Sequence, residues 1–407
     1  MLKIGLTGGI AAGKSVVARR LEERGALLID SDLLARQVVE PGTLGLARVT
    51  EVFGSAVLAA DGTLDRARLA AVVFADEARR QQLNAIIHPL VRAEAATLMA
   101  TAAPGSVVVQ DIPLLVETGH GADFHLVLVV EAPAEQRVRR MLEHRAMTAA
   151  QAQDRISAQA TPADRLAVAD VVIDNSAGLD ATLARVDRLW ESRLEPFARN
   201  LAAARDGRPS GPAVLVPADP SWPAQAERLT ARIRAAAPDA IVAVDHIGST
   251  AVPGLDAKDV LDLQLRVRGL AEADRMATAL AAAGFPRFPG VWQDTPTAAD
   301  PDPAHWQKRL HGASDPGRAA NIHVRADGSP AARYALAFRD WLRADPDARR
   351  AYQAEKRRVA ALHASDGGTA GYAAGKEPWF SAVAEPGLQV WLGTGGWKAP
   401  WESGTAP

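Results

Sequence analysis

Short apolar runs alternate with helix-length amphipathic segments through the first half of the chain. The runs Leu2–Thr7, Ala26–Ile29, Ser106–Gln110, His125–Val130 and Val171–Ile173 have the length and continuous apolar character of strands buried on both faces. Alternation of such strands with helices predicts an α/β unit, a parallel sheet covered by helices on both sides. A helix over Ser15–Arg24 stops at Gly25, and a helical stretch Asp180–Ala204 closes the unit. Arg205-Asp-Gly-Arg-Pro-Ser-Gly-Pro212 then gathers turn formers and charge without apolar periodicity, which predicts a linker over 205–213 after a first domain at 1–204.

Beyond the linker, helical periodicity over Trp222–Ala237, strand-like runs at Ile241–Val244 and Val260–Val267 and a helical stretch Ala271–Ala283 predict a second α/β or α+β domain, at 214–385. Proline and glycine crowd Phe285–Pro316, so a long irregular excursion is expected there. Helices over Arg333–Leu342 and Asp347–His363 follow. Residues 386–407 carry Trp391, Trp397 and Trp401 among Gly and Pro and have the look of a tail.

Composition narrows the function classes. The 407 residues carry a formal net charge of −2 with 23 % charged residues, so no global field selects nucleic acid or an anionic membrane, and any anion site is local. The absence of cysteine excludes disulfides, thiolate metal sites and cysteine nucleophiles. No apolar run approaches spanning length, and a strand beginning at Leu2 leaves no room for a leader, so a cytoplasmic protein is expected.

The first strand runs directly into Gly8-Gly-Ile-Ala-Ala-Gly-Lys-Ser15, a Gly-x-x-x-x-Gly-Lys-Ser phosphate-binding loop. Gly8 and Gly13 allow a tight turn that aims the N–H groups of Gly9 through Val16 at a polyphosphate, which also meets the positive end of the next helix. Lys14 can neutralise β and γ phosphates, and Ser15 can ligate Mg²⁺. The second strand ends in Ile29-Asp30-Ser31-Asp32, placing two carboxylates at the carboxyl edge where open sheets bind ligands. One of them can take a proton from an attacking hydroxyl or hold Mg²⁺ through water; alternatively the pair caps the next helix. Asp111 ends the third strand in a Walker-B-like place, suited to an outer Mg²⁺ contact, a substrate hydrogen bond or a plain strand-end cap. Arg137, Arg140 and His144 share one helix face, either solvated or part of a lid that closes cations onto a transferring phosphoryl group. A nucleotide-driven switch or motor fits poorly, since Asp111 opens Asp-Ile-Pro-Leu rather than Asp-x-x-Gly and no transporter-type Leu-Ser-Gly-Gly occurs.

Several motifs together resemble the dephospho-CoA kinase family over Leu2 to about residue 200: Gly5-Leu-Thr-Gly-Gly-Ile10 with Gly13-Lys-Ser15, Asp30-Ser-Asp32 with Ala35-Arg36, and Leu83-Asn-Ala-Ile-Ile-His-Pro-Leu90. Asp111-Ile-Pro-Leu-Leu115 with Glu117, Arg155-Ile-Ser-Ala-Gln159 and Ala169-Asp-Val-Val-Ile-Asp-Asn175 continue the series. The resemblance implies a P-loop kinase domain with ATP and Mg²⁺ as cofactors and dephospho-CoA as substrate, phosphorylated on its ribose 3′-hydroxyl. It implies Asp32 as general base, Lys14 as the loop lysine and Arg140 as the lid arginine. ATP would be held by Gly8, Gly9, Ala11, Ala12, Gly13, Lys14, Ser15, Val16 and Asn175. The acceptor would meet Asp32, Arg36, His88 and Asp111, with the mostly helical Val38–Met99 as a substrate-binding insertion. Two positions depart from the family pattern: Ala11-Ala12 replaces the usual Gly-Ser, and His144 stands where a second lid arginine is common, with Arg145 one step displaced. A kinase for another small metabolite is the alternative.

From Val214 to about Val383 the chain resembles the GrpB-like family, a branch related to nucleotidyltransferases, through Pro217-Ala-Asp-Pro-Ser-Trp-Pro223, His246-Ile-Gly-Ser-Thr-Ala-Val-Pro-Gly-Leu255, Asp262, Asn321-Ile-His-Val324 and Tyr372 with Lys376. A nucleotidyltransferase site needs a Gly-Ser turn and carboxylates two apart on one strand face. Gly248, Ser249 and Asp262 supply the turn and one carboxylate, but Gln264 occupies the second carboxylate's place. Nucleotide binding or structural support is therefore expected of this domain, with nucleotidyl transfer as the alternative. His305, His311 and His323 follow no metal-ligand spacing and are taken as polar site or surface residues.

Overall fold

The computed structural model describes residues 1–74, 76–145 and 147–402; the side chains of Phe74 and Arg145 and residues 75, 146 and 403–407 lie outside what is described. The chain divides into two compact units, Met1–Glu191 and Ser192–Pro407. Among the described residues no helix is long and apolar enough to cross a membrane.

The first unit is built on a parallel five-stranded sheet of β1 (Leu2–Gly8), β2 (Leu27–Asp30), β3 (Val107–Asp111), β4 (Leu126–Glu131) and β5 (Val171–Asp174), in the order β2-β3-β1-β4-β5. All five strands predicted from apolar runs are present, and β1, β3 and β4 are almost wholly buried because helices cover both faces. Every strand ends at the same edge in a residue of chemical interest: Gly8, Asp30, Asp111, Glu131 and Asp174. The register sets Asp30 opposite Asp111 and Glu131 opposite Asp174. The insertion after β2 consists of helices Leu44–Phe53, Arg66–Phe74 and Glu77–Ala100, with a small core of Val39, Val49, Val57 and Leu69.

The second unit has a mixed sheet of β6 (Ile241–Ile247), β7 (Leu261–Val267), β8 (Trp292–Gln293), β9 (Gln307–Gly312) and β10 (Ala320–Ala326), ordered β6-β7-β10-β9-β8. β7 and β10 pair in parallel and the remaining pairs are antiparallel. Helices Trp222–Ala236 and Leu270–Ala282 cover one face through Trp222, Leu229, Ile233, Met276 and Leu280. A second apolar cluster joins Trp341, Leu342 and Tyr352 of helices Pro330–Ala344 and Pro346–Leu362 to Leu388.

Three expectations differ from what is observed. Phe285–Pro316 is not wholly irregular, since it contributes β8 and β9. Residues 386–402 are not a loose tail: Glu385–Gly393 is a helix, Trp391 and Trp397 pack on the Trp341 cluster, and the Trp401 ring lies under the Arg266 guanidinium at 4.9 Å. The division between units falls at Glu191/Ser192, ahead of the 205–213 stretch. Helix Glu195–Ala202 belongs to the second unit, where Arg193 pairs with Asp315 and Asn200 Nδ2 donates to the Ser314 carbonyl at 2.9 Å. The 205–213 stretch is itself bonded there, Gly207 N–H to the Ala313 carbonyl at 2.8 Å and Arg208 to Asn321 at 2.7 Å.

Candidate active site

The phosphate loop leaves β1 and enters helix Lys14–Glu23. Gly13 has φ 98°, and a Cβ there would overlap the Asn175 amide, so both the dihedral and the space demand glycine. Ala11 is also left-handed, at φ 59°, a conformation that costs an L-residue about 1–2 kcal/mol. Strand β5 and the Ala134–Arg145 helix hold the loop from behind. Asn175 Nδ2 donates to the Ala12 carbonyl at 2.7 Å while its Oδ1 accepts from Thr182 Oγ1. Arg140 donates to the Ala11 and Ala12 carbonyls at 3.2 Å and to the Asn175 carbonyl at 2.9 Å. Arg137, nearly fully buried, donates from Nε to the Ile10 carbonyl at 2.9 Å and lies so close to Gly9 that a Cβ there would sit 2.6 Å from its Cζ. Its Nη2 is buried without a hydrogen-bond partner, an orphaned cationic donor beside the loop. Gln159 Oε1 accepts the Ile10 N–H at 2.7 Å.

Lys14 Nζ bonds the Asp111 carboxylate. Burial raises the Asp111 pKa above the ordinary carboxylate value, and the Lys14 charge opposes that shift. Ser15 and Val16 lie in the first helical turn, with the Ser15 side chain exposed.

The two aspartates after β2 have separate roles. Asp30 caps helix Ser31–Gln37, accepting the N–H groups of Asp32 and Leu33 at 2.9 and 3.0 Å. Asp32, one residue inside the helix, is released from capping and lines a cavity of ≈ 520 Å³ between the sheet edge and the helical insertion. Gln110 fixes this turn by donating to Ser31 Oγ at 3.0 Å. The cavity has an apolar wall, including Leu69, Leu83, Ile87, Val91 and Phe124, and a polar rim with His88, Arg92 and His120. Arg92 contacts His120 at 3.1 Å, whose other nitrogen meets Asp123 at 2.9 Å. Burial, and the Arg92 charge after it, lower the His88 pKa below the usual imidazole value. Of the residues expected at the acceptor, Asp32 and His88 line the cavity. Arg36 is exposed and does not, while Arg66 does, and Asp111 faces Lys14 instead. His144 is exposed, its nearest carboxylate Glu143 at 3.9 Å.

In the second unit Gly248 turns at φ 68°, and a Cβ there would come within 2.5 Å of Asp262 Oδ2. Asp262 accepts from Asn321 Nδ2 at 2.7 Å and lies 3.5 Å from His323 Nε2. Gln264, two residues on, is fully buried and bonded to Arg325 at 2.7 Å, so Asp262 has no carboxylate neighbour on its strand face. His311 is fully buried with Nδ1 on the Phe285 carbonyl, whereas His305 is exposed beside Asp300. Among the described residues no group of three His, Cys, Asp or Glu could hold a metal ion.

Residues 2–181 match the family described as dephospho-CoA kinase, and residues 212–385 match the family described as GrpB protein. A protein of Mycolicibacterium paratuberculosis named dephospho-CoA kinase is 47 % identical over 411 residues, covering 98 % of this chain and 100 % of its own length. The chain belongs to the dephospho-CoA kinase family. It is a kinase. A dephospho-CoA kinase of Thermobifida fusca is 51 % identical over 191 residues, 47 % of this chain and 96 % of its own. The crystal structure of TT1252 from Thermus thermophilus is similar at 34 % identity and a TM-score of 0.42, over 46 % of this chain and 94 % of that one.

Four residues of this kinase site carry contacts that sequence reasoning left unassigned. Arg137 was legible only as a member of the Arg140 face, and its burial against Gly9 follows from the helix lying on the loop. Gln159 stands in the family motif Arg155-Ile-Ser-Ala-Gln159 but far from the loop in sequence. Arg66 and Arg92 carry no motif, and only the packing of the insertion brings them to the cavity rim.

Proposed function

We propose that the chain transfers the γ-phosphoryl group of ATP to the ribose 3′-hydroxyl of dephospho-CoA, giving CoA and ADP, with Asp32 as general base. The observation that carries the proposal is the division of labour after β2, where Asp30 takes the helix cap and leaves the Asp32 carboxylate free at the mouth of the acceptor-sized cavity. The 3′-hydroxyl proton passes to Asp32 as its oxygen bonds to the γ phosphorus, and the bond from that phosphorus to the bridging oxygen of ADP breaks. The apolar wall suits a flexible, mostly uncharged acceptor arm, and the Arg66, Arg92 and His88 rim suits its diphosphate.

ATP phosphates would lie on the amides of Gly8, Gly9, Ala11, Ala12, Gly13, Lys14, Ser15 and Val16. The orphaned Arg137 Nη2 offers a donor that a phosphate oxygen would satisfy. Lys14 is held by Asp111 at the place where those phosphates would arrive. Arg140 supports the loop carbonyls from the Ala134–Arg145 helix and from there would reach the transferring group on closure. The donor set suits Mg²⁺ held mainly by phosphates and water: the exposed Ser15 hydroxyl would be its protein ligand, and no cluster of carboxylates competes among the described residues. When bound, Mg²⁺ neutralises charge on the β and γ oxygens. A cytoplasmic setting follows from the need for ATP.

CoA formation by the full chain with ATP, Mg²⁺ and dephospho-CoA, compared with Asp32→Asn, tests the proposal. The expected result is a kcat lower by about 10²- to 10⁴-fold in the variant with little change in KM for ATP. Near-unchanged turnover by Asp32→Asn removes it as the base. Turnover on another alcohol but not on dephospho-CoA removes the acceptor.

A further inference from the structure

Gln159 and Ala160 lie between helices Ala149–Ser157 and Pro162–Val168 of the first unit, and both are bonded to elements distant in sequence. Gln159 Oε1 accepts the Ile10 N–H at 2.7 Å, while the Ile10 carbonyl accepts Arg137 Nε at 2.9 Å, so this loop residue is gripped through both of its backbone polar groups. Ala160 is gripped in the same way. Its N–H donates to Glu117 Oε1 at 2.9 Å, and its carbonyl accepts Arg165 Nη1 at 2.6 Å. Arg165 is buried and pairs with Glu131 at the end of β4, whose own carbonyl accepts the Asn175 N–H at 2.8 Å. Glu117 belongs to the short helix Leu115–Thr118, and Leu114 and Thr118 at its two ends line the acceptor cavity. Neither Glu117, Gln159 nor Arg165 lines that cavity itself.

These bonds run in one line from the acceptor wall through Glu117, Ala160 and Gln159 to Ile10 and Arg137. The helix side of the phosphate loop is held independently of that line, by Asn175 and Arg140 on the Ala12 carbonyl and by Lys14 on Asp111. Without the Gln159 oxygen the half-buried Ile10 N–H loses its acceptor and the peptide is free to turn, carrying with it the carbonyl on which Arg137 rests. The helix-side amides would still hold phosphates. The reacting atoms of donor and acceptor must nevertheless meet within about 3–3.5 Å, and a misplacement of about 1 Å costs on the order of 10²-fold in rate.

We infer that Gln159 is a positioning residue for phosphoryl transfer, acting through Ile10 and Arg137, and that Glu117 and Arg165 tie it to the acceptor wall and the sheet so that the donor loop and the acceptor cavity keep one register. The inference rests on the transfer proposed above and adds to it residues placed outside the acceptor cavity.

CoA formation by full-length variants, expressed per ATP-binding site, tests the inference together with the Kd for ATP measured by equilibrium dialysis without acceptor. Gln159→Leu removes the acceptor oxygen at similar volume and is expected to lower kcat about 10- to 10²-fold while the Kd for ATP stays within about threefold of wild type. Gln159→Glu keeps an acceptor oxygen and adds a negative charge beside the loop, so kcat should return to within about threefold of wild type while KM for ATP rises. A merely structural role would instead lower the number of ATP-binding sites and leave turnover per site normal. Glu117→Leu acts at an exposed bond and should lower kcat by about 3- to 10-fold, and adding it to Gln159→Leu should cost little more than Gln159→Leu alone, since the two lie on one line. Wild-type kcat in Gln159→Leu, or a loss accounted for by ATP affinity, overturns the positioning role. Wild-type kcat in Glu117→Leu, or losses that multiply in the double variant, overturns the tie to the acceptor wall, and the first of these is read whether or not Gln159→Leu folds. Failure of the wild type to form CoA is a separate result, which removes the proposed transfer and this inference with it.

Discussion

Ala11 shows how one methyl group bears on the phosphate loop. Its φ of 59° lies in the left-handed region that glycine enters freely. Replacing it with glycine removes about 1–2 kcal/mol of left-handed strain and returns about 0.5–1 kcal/mol through the freer unfolded chain. Ala11→Gly should therefore stabilise the loop by up to about 1.5 kcal/mol. Ala12→Gly, at a fully buried neighbour with no positive φ, should destabilise it by a similar amount. Hydrogen exchange of the amides in helix Lys14–Glu23 checks the pair, and equal shifts in one direction would refute the strain argument. At this scale the sequence was legible where a motif states its own geometry, as at Gly13 and Lys14. It was not legible at Asp30 and Asp32, where either carboxylate could cap or face the cavity. The choice depends on which residue is the N-cap, a matter of one position that local pattern does not resolve.

At the scale of elements, hydrophobic periodicity found the five parallel strands because both faces of each are apolar. It missed β9, whose Gln307-Lys-Arg-Leu-His-Gly312 buries Lys308 against Asp294 at 2.5 Å and His311 against a carbonyl. A strand buried through paired polar groups has no apolar signature. The last helix was hidden for a different reason. Pro386 sits in its first turn, where no N–H is needed, and Gly387 is where the Trp341 ring approaches, a Cβ there lying 2.8 Å from it. The same polar burial makes the second sheet acid-sensitive. Burial lowers His246 on β6 and His323 on β10 to about 4, below the ordinary imidazole value near 6.5. The unfolded chain binds protons between these values and the folded chain does not. Stability is therefore complete above about pH 6.5 and falls as pH drops toward 4, by on the order of 1–2 kcal/mol per histidine at pH 5. Eight of the nine tryptophans lie in the second unit, so fluorescence melts report on it directly. His246→Gln/His323→Gln should flatten the dependence over pH 5–7, and an unchanged slope would assign it to other groups.

Across the whole molecule, the boundary matters more than the two family matches suggest. All the kinase residues discussed, from Gly8 to Asn175, lie within Met1–Glu191. The turn-rich 205–213 stretch reads as a linker by composition, yet its backbone and Arg208 are bonded within the second unit. Composition reports on solvation and turn propensity, and tertiary bonding overrides both. A cut at 204 would keep Arg193 and Asn200 but remove groups that they bond. Asp315 and the Ser314 carbonyl would be gone, and so would Gly284, whose added Cβ would sit 3.7 Å from the Phe197 ring. A cut after Glu191 leaves none of these behind. Fragment 1–191 should stay monomeric at concentrations where 1–204, which has lost Asp315 and the Ser314 carbonyl from Arg193 and Asn200, associates, with similar kcat per folded molecule. Sedimentation of the two fragments alongside CoA formation checks this. Equal sedimentation of the two would show that the 192–204 segment is indifferent to the loss of those groups. Turnover by 1–204 but not by folded 1–191 would move the catalytic boundary past Glu191.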